Sequence, residues 1–239
     1  MSSSWRGPLR RDVGVVVVAA GRGRRVGGEP KQFRLLAGRP VVAHALEPFQ
    51  RHPAVGEVML VVPSDVVAVP PAWIAGLADR VRLVAGGAER ADSVEAGLRA
   101  LGPESTVVLV HDGARPFPDP DVIDRVIAVA REGRGAIAAL PVTDTLKAGT
   151  PGAAGTSVVR RTVPRDDLWR AQTPQGFPRA VLARALARAR AGGVVPTDDS
   201  AAVEADGTEV VLVADVARNL KITTAADLAL AQAMLEAGR

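Results

Sequence analysis

Residues 13–20 form an unbroken apolar run, Val13-Gly14-Val15-Val16-Val17-Val18-Ala19-Ala20, closed by Gly21. A strand with one wet face alternates apolar and polar residues, whereas a run without alternation must be covered on both faces, as inside a parallel sheet. Parallel neighbours are joined by crossovers, usually helices, so this segment already demands an α/β architecture. The rest of the chain supplies the parts. Strand-like runs recur at 57–62, 81–84, 106–110 and 136–141, with helical patterns at 41–49, 90–101 and 120–131 between most of them. Further helices are expected at 178–191 and 225–237, and a strand at 209–213. The alternation implies a doubly wound α/β sheet with helices on both faces.

The alternation lapses at 142–173, a polar stretch rich in Gly, Thr and Arg that is too long for an ordinary connection and reads as an arm or lid. The expected organisation is a flexible segment over 1–12 and a single domain over 13–239. At 239 residues, no room is expected for a second catalytic domain of ordinary size.

Charge is distributed unevenly. Residues 1–34 carry eight basic and two acidic side chains, and the rest of the chain carries 22 and 24. A bound anion near the start of the chain explains this better than a nucleic-acid surface, so nucleic acid is not expected as a partner. The absence of cysteine removes disulfides, thiolate nucleophiles and zinc–thiolate sites, and fits a cytoplasmic protein. Arg10 and Arg11 before the first apolar run mimic a signal peptide, but Asp12 interrupts the flank and arginines follow. No apolar run approaches the roughly 20 residues that span a bilayer, so no membrane association is expected.

Five motifs carry chemistry. The first leaves the first strand as Ala19-Ala20-Gly21-Arg22-Gly23-Arg24-Arg25 and continues to Pro30-Lys31-Gln32. Small residues let backbone amides approach an anion, and Arg25 and Lys31 add positive charge, which is the logic of a triphosphate loop. A dinucleotide loop would need a third glycine where Val26 stands, and no P-loop pattern is present. The second motif, Gly86-Gly87-Ala88-Glu89-Arg90-Ala91-Asp92-Ser93-Val94, joins a strand to a helix; its backbone and the Ser93 hydroxyl could read a base edge or a ribose, or could simply make the turn. The third is His111-Asp112-Gly113-Ala114-Arg115-Pro116. A carboxylate at the carboxyl end of a parallel strand lies where such sheets bind ligands and can hold Mg²⁺ beside phosphates, so Asp112 is the metal candidate. His111 reads as an orienting or packing group.

The fourth region holds Thr145, Lys147, Arg165 and Trp169 through Thr173-Pro174-Gln175. Its hydroxyls and cations suit an acceptor bearing phosphate and hydroxyl groups, and equally suit a solvated hairpin. The fifth is Asn219-Leu220-Lys221-Ile222-Thr223, preceded at a distance by Thr197-Asp198-Asp199-Ser200, where Thr197 or Asp198 could cap a helix. The chain has three lysines against 27 arginines, and Lys31, Lys147 and Lys221 all fall inside these motifs.

In this order the motifs resemble the 2-C-methyl-D-erythritol 4-phosphate cytidylyltransferase family, over about 13–230. The resemblance implies a Rossmann-like nucleotidyltransferase fold, a homodimer clasped by a protruding dimerisation arm, and a Mg²⁺-dependent reaction of CTP with methylerythritol phosphate. By matching position, Arg25 and Lys31 would contact the triphosphate, Lys221 would stand with the residues around the acceptor, and all three would stabilise the charge that builds in the transition state. Ala19, Ala20, Gly21, Gly23, Gly87, Ala88 and Ser93 would surround the nucleotide. Asp112 would hold the metal, and Arg115, Thr145, Arg165, Thr173 and Thr197 would surround the acceptor, with Thr145 and Arg165 supplied by the partner subunit. The family commonly has proline at Val18 and alanine at Gly113. Some relatives carry an acid where this chain has Arg218, which leaves Asp215 as the substitute second carboxylate. The alternatives are a cytidylyltransferase for a pentitol phosphate such as ribitol 5-phosphate, an NAD-dependent oxidoreductase and a non-catalytic nucleotide-binding module. The oxidoreductase is disfavoured by the missing glycine and by the lack of an acid over 39–46.

Overall fold

The computed structural model describes residues 10–21, 30–77 and 80–238. The apolar run becomes β1 (Val13–Val18), flanked in a seven-stranded sheet by β4 (Val55–Val62) and β6 (Val107–Asp112), both parallel to it. Val13, Val15, Val16 and Val17 have no exposed surface, which is why the run lacks polar positions. Beyond β4 lies parallel β5 (Val81–Ala85). Beyond β6 lie β10 (Trp169–Pro178), β7 (Gly135–Pro141) and β11 (Val210–Ala214), giving the order β11-β7-β10-β6-β1-β4-β5. Only β10 runs antiparallel to its neighbours in this sheet.

Helices cover both faces. On one side α1 (Val41–Arg51) and α4 (Pro120–Arg131) contribute Val42, Leu46, Phe49, Ile123 and Val126 to a core with β1, β4 and β6. On the other, α3 (Arg90–Ala100), α5 (Arg179–Ala191) and α6 (Asp199–Ala205) bring Val94, Leu98, Leu182, Leu186 and Val203 against Val16, Met59 and Val108. The short α2 (Ser64–Ala68) follows β4. A smaller core of Leu36, Val41, Phe117, Ile222 and Ala231 docks α7 (Ala225–Ala237) and the hairpin β2 (Leu35–Leu36)–β3 (Arg39–Pro40). Among the described residues no helix is long and apolar enough to cross a membrane.

The polar stretch resolves into two different structures. β8 (Leu146–Pro151) and β9 (Ser157–Val163) form an antiparallel hairpin outside the main sheet, with Val158 and Val159 exposed by 64% and 59%. From Trp169 the chain re-enters the main sheet as β10, so the segment expected to be arm through Thr173 ends earlier and its last part is a central strand. Its polar residues, Gln172, Thr173 and Gln175, are buried with hydrogen-bonding partners, which is why polarity there did not signal a surface.

The chain leaves β1 toward β4 and β5, then crosses back to place β6 on the other side of β1. This topological switch point opens a crevice at the carboxyl ends of β1 and β6. Val18 pairs with Asp112 in register, so the carboxylate stands beside the turn that follows β1.

Candidate active site

A cleft of about 670 Å³ occupies that crevice, lined by Ala19, Ala20, Gly21, Lys31, Gly87, Ala88, Ser93, Asp112 and Lys221, among others. The structure thus gathers nine residues singled out from the sequence. Arg25 and Gly23 lie outside the described residues.

Two turns form one wall. Gln32, 3% exposed, donates from Nε2 to the carbonyls of Ala19 (2.7 Å) and Gly21 (2.8 Å), holding the turn after β1 from behind. Gln32 closes the Pro30-Lys31-Gln32 motif, and nothing in its sequence neighbourhood points to this role. The turn before α3 packs against the first: a Cβ on Gly86 would lie 2.4 Å from Cβ of Ala20, and one on Gly87 2.3 Å from Cβ of Asp92, so both positions need glycine. Glu89 and Asp92 make a capping box at the start of α3. The Ser93 hydroxyl accepts from the Gly87 amide (3.2 Å) and lies 3.3 Å from the Glu89 carbonyl, so it shapes the turn itself.

Asp112 forms the floor. Its carboxylate lies 2.7 Å from Lys221 Nζ, 3.5 Å from Arg90 Nη2 and 3.8 Å from Arg115 Nε. Burial alone would raise its pKa. Lys221, Arg90 and Arg115 outweigh the effect of burial and hold the carboxyl well below the usual range, so it is an anion at any working pH. Lys221 arrives because the Ile222 amide donates to the Ala114 carbonyl, 2.8 Å away.

Behind Asp112 a buried polar network fixes its strand end. His111 Nε2 meets the Arg115 carbonyl at 3.0 Å, so that nitrogen carries the proton; Nδ1 then accepts from the Thr173 hydroxyl at 3.0 Å. The Thr173 oxygen in turn accepts from the Asp112 amide, 3.0 Å away. Burial pushes His111 down to about 4, leaving it neutral, as expected for an orienting group. Arg115 donates to the Asn219 carbonyl at 2.8 Å, and Asn219 Nδ2 donates to the Thr173 carbonyl and to Asp215. These contacts lace the third, fourth and fifth motifs together.

The residues assigned to an acceptor are dispersed. Arg115 and Thr173 are buried beside Asp112. Thr145 and Arg165 flank the β8–β9 hairpin and are exposed, with the Arg165 guanidinium donating to the Thr143 carbonyl. Thr197 is exposed just before α6, whose cap is Asp198, accepting from the Ala201 amide at 2.9 Å. None of these five lines the cleft. Arg218 stacks over Phe117, 5.1 Å from the ring centroid, in a separate hollow, and Asp215 holds Asn219, so neither lines the cleft beside Asp112. Sequence reasoning assigned no function to Arg90 and Asp199, although Arg90 stands in the second motif. Arg90 lines the cleft, and its Nη1 lies 2.7 Å from the buried Asp199.

Asp112 suits a divalent cation delivered with phosphates. Mg²⁺ is commonly held by one or two carboxylates plus phosphate oxygens and water. Among the described residues no group of three or more His, Asp or Glu could hold a metal alone.

The family model for IspD, 2-C-methyl-D-erythritol 4-phosphate cytidylyltransferase, matches residues 13–237. The bifunctional enzyme IspD/IspF of Rhodospirillum rubrum is 48% identical over 219 residues, 90% of this chain and 55% of that protein. The chain spans just over half the length of the bifunctional relatives it matches. The 2-C-methyl-D-erythritol 4-phosphate cytidylyltransferase of Salinibacter ruber is 43% identical over 229 residues, covering 92% of this chain and 91% of that one. Among solved structures, the Thermus thermophilus 2-C-methyl-D-erythritol 4-phosphate cytidylyltransferase superposes with a TM-score of 0.77 at 35% identity, covering 92% of this chain and 98% of that one. The 4-diphosphocytidyl-2C-methyl-D-erythritol synthase of Anaerococcus prevotii gives 0.80 at 29%, covering 94% and 98%. With nearly its whole length matched, this chain belongs to the 2-C-methyl-D-erythritol 4-phosphate cytidylyltransferase family.

Proposed function

We propose that the cleft transfers the cytidylyl group of CTP to 2-C-methyl-D-erythritol 4-phosphate, forming 4-diphosphocytidyl-2-C-methyl-D-erythritol and pyrophosphate. The observation that carries the reading is the convergence of Lys31, Lys221 and Asp112 with the turns at 19–21 and 86–88 in one cleft. An acceptor phosphate oxygen attacks the α-phosphorus in line, a new P–O bond forms, the bond to the β-phosphate oxygen breaks, and pyrophosphate leaves with that electron pair. The acceptor phosphate is already an anion, so no side chain need remove a proton. His111, whose ring nitrogens both face partners, is not available as a base.

The barrier is charge repulsion, which alignment and preorganised cations lower. Lys31, Lys221 and Arg25 take that role, and the turns around Ala19, Ala20, Gly21, Gly87, Ala88 and Ser93, together with Gly23, hold the nucleotide. Asp112 would hold Mg²⁺, which when bound screens the phosphate charges. Asp112 pairs with Lys221. Nucleotide phosphates compete for that ammonium and release the carboxylate, so metal and nucleotide arrive together.

The acceptor sits beside Arg115, Thr173 and Thr197, with Thr145 and Arg165 coming from the partner of a homodimer. The β8–β9 hairpin, with its exposed Val158 and Val159, is the dimerising arm. The lack of cysteine fits a cytoplasmic enzyme. Competition between methylerythritol phosphate and ribitol 5-phosphate, with products identified by mass, tests the acceptor. Dominance of the methylerythritol product is expected, and preferential transfer to the pentitol would overturn the assignment.

A further inference from the structure

Arg90 is the first residue of α3, and its guanidinium stands between two carboxylates. Nη1 lies 2.7 Å from Asp199 Oδ2, and Nη2 donates a long hydrogen bond of 3.5 Å to Asp112 Oδ1. Asp199, at the start of α6, is 1% exposed; burial raises its carboxyl's pKa, and the Arg90 guanidinium 2.7 Å away is the cation that opposes this and favours the carboxylate. A buried ion pair is a poor way to gain stability, because desolvation offsets most of the attraction. Anchoring α6 does not require it either. Gln175 Nε2 donates to Asp198 at 2.8 Å, Gln175 Oε1 accepts from the Ser200 amide at 3.0 Å, and Ala202 and Val203 are buried in the core.

The other end of Arg90 explains the pair better. Three cations face Asp112, and they are held differently. The Lys221 side chain is 40% exposed and can swing onto a bound phosphate. Arg115 is fixed by the Asn219 carbonyl. Arg90 lines the cleft and is the cation facing Asp112 that has a buried counter-ion of its own. An unpaired guanidinium at that distance would close onto Asp112 and compete with any divalent cation for the carboxylate.

We infer that Asp199 is a positioning residue for the proposed cytidylyl transfer: as counter-ion of Arg90 it holds the guanidinium at a long contact and keeps it from closing further onto Asp112, so that a divalent cation can displace it from that carboxylate. The inference rests on the function proposed above.

The test is Mn²⁺ binding followed by electron paramagnetic resonance, with the full-length protein and CTP present and no acceptor, so that binding is read apart from turnover. D199N is expected to weaken Mn²⁺ binding by about tenfold, because the released guanidinium competes with the cation for Asp112. The double variant R90Q/D199N removes both charges and is expected to return to within about threefold of the wild type. A purely structural role for Asp199 makes the double variant at least as weak as the single one. Unchanged binding in D199N, or a double variant as weak as D199N, overturns the inference. If D199N does not fold, R90Q/D199N against wild type carries the test alone, and a tenfold loss there overturns it. Turnover of the wild type is a separate measurement: absence of cytidylyl transfer alongside the expected Mn²⁺ pattern would remove the reaction and keep the counter-ion.

Discussion

Lys31 and Lys221 are two of only three lysines in a chain with 27 arginines, and both line the cleft. A compact ammonium meets a phosphate oxygen as a point contact, where a guanidinium would present a fork. Lys31→Ala and Lys221→Ala should each lower kcat by roughly 10²–10³-fold, the usual cost of removing a transition-state charge contact. Steady-state kinetics check this, and unchanged kcat in either variant would remove that residue from the mechanism. His111 makes a different expectation, about stability. Burial lowers its folded-state value to about 4, against about 6.5 when unfolded. Between those values the unfolded chain binds the extra proton, so stability falls as pH drops from 6.5 toward 4, by up to roughly 3 kcal/mol. Denaturant midpoints across that window would show the decline. A His111→Asn variant should show a flatter profile, and an equally steep one would place the effect elsewhere.

Helix α3 shows what one element must satisfy to bring the two turns of the cleft together. Gly97 faces β1, where an added Cβ would lie 2.5 Å from Val16 Cγ1. Gly97→Ala should cost about 1–3 kcal/mol by overpacking and lower the melting temperature by several degrees. No shift would mean that α3 does not seat tightly on the sheet. The elements legible in the sequence were those with an uninterrupted period. Pro120–Arg131 and Ala225–Ala237 match the expected helices to the residue, because Asp119-Pro120 and Thr224 mark their starts. β10 was hidden, because its polar side chains are buried within a network contributed by residues far away in the chain, such as Asn219 and His111. The site divided along the same line. Residues at strand ends and glycine turns could be placed from sequence, since local geometry fixes them. The Arg90–Asp199 pair joins residues more than a hundred positions apart, and no local pattern announces it.

Across the whole molecule, the described residues proposed for the nucleotide gather with Asp112 at the switch point between β1 and β6, whereas those proposed for the acceptor are dispersed, Thr145 and Arg165 standing by the exposed hairpin. Replacing Val158 and Val159 together by aspartate should yield a monomer in sedimentation velocity, with cytidylyl transfer lost and the melting temperature little changed. A dimer that persists would separate the hairpin from assembly. Whether this cleft joins CTP to a polyol phosphate is decided by pyrophosphate release from CTP, Mg²⁺ and 2-C-methyl-D-erythritol 4-phosphate, with ATP, GTP and UTP as controls. Release is expected with CTP and that acceptor together, and should be sharply reduced in Lys31→Ala. No release, or equal release with every nucleotide, would mean that the cleft is not a cytidylyltransferase site.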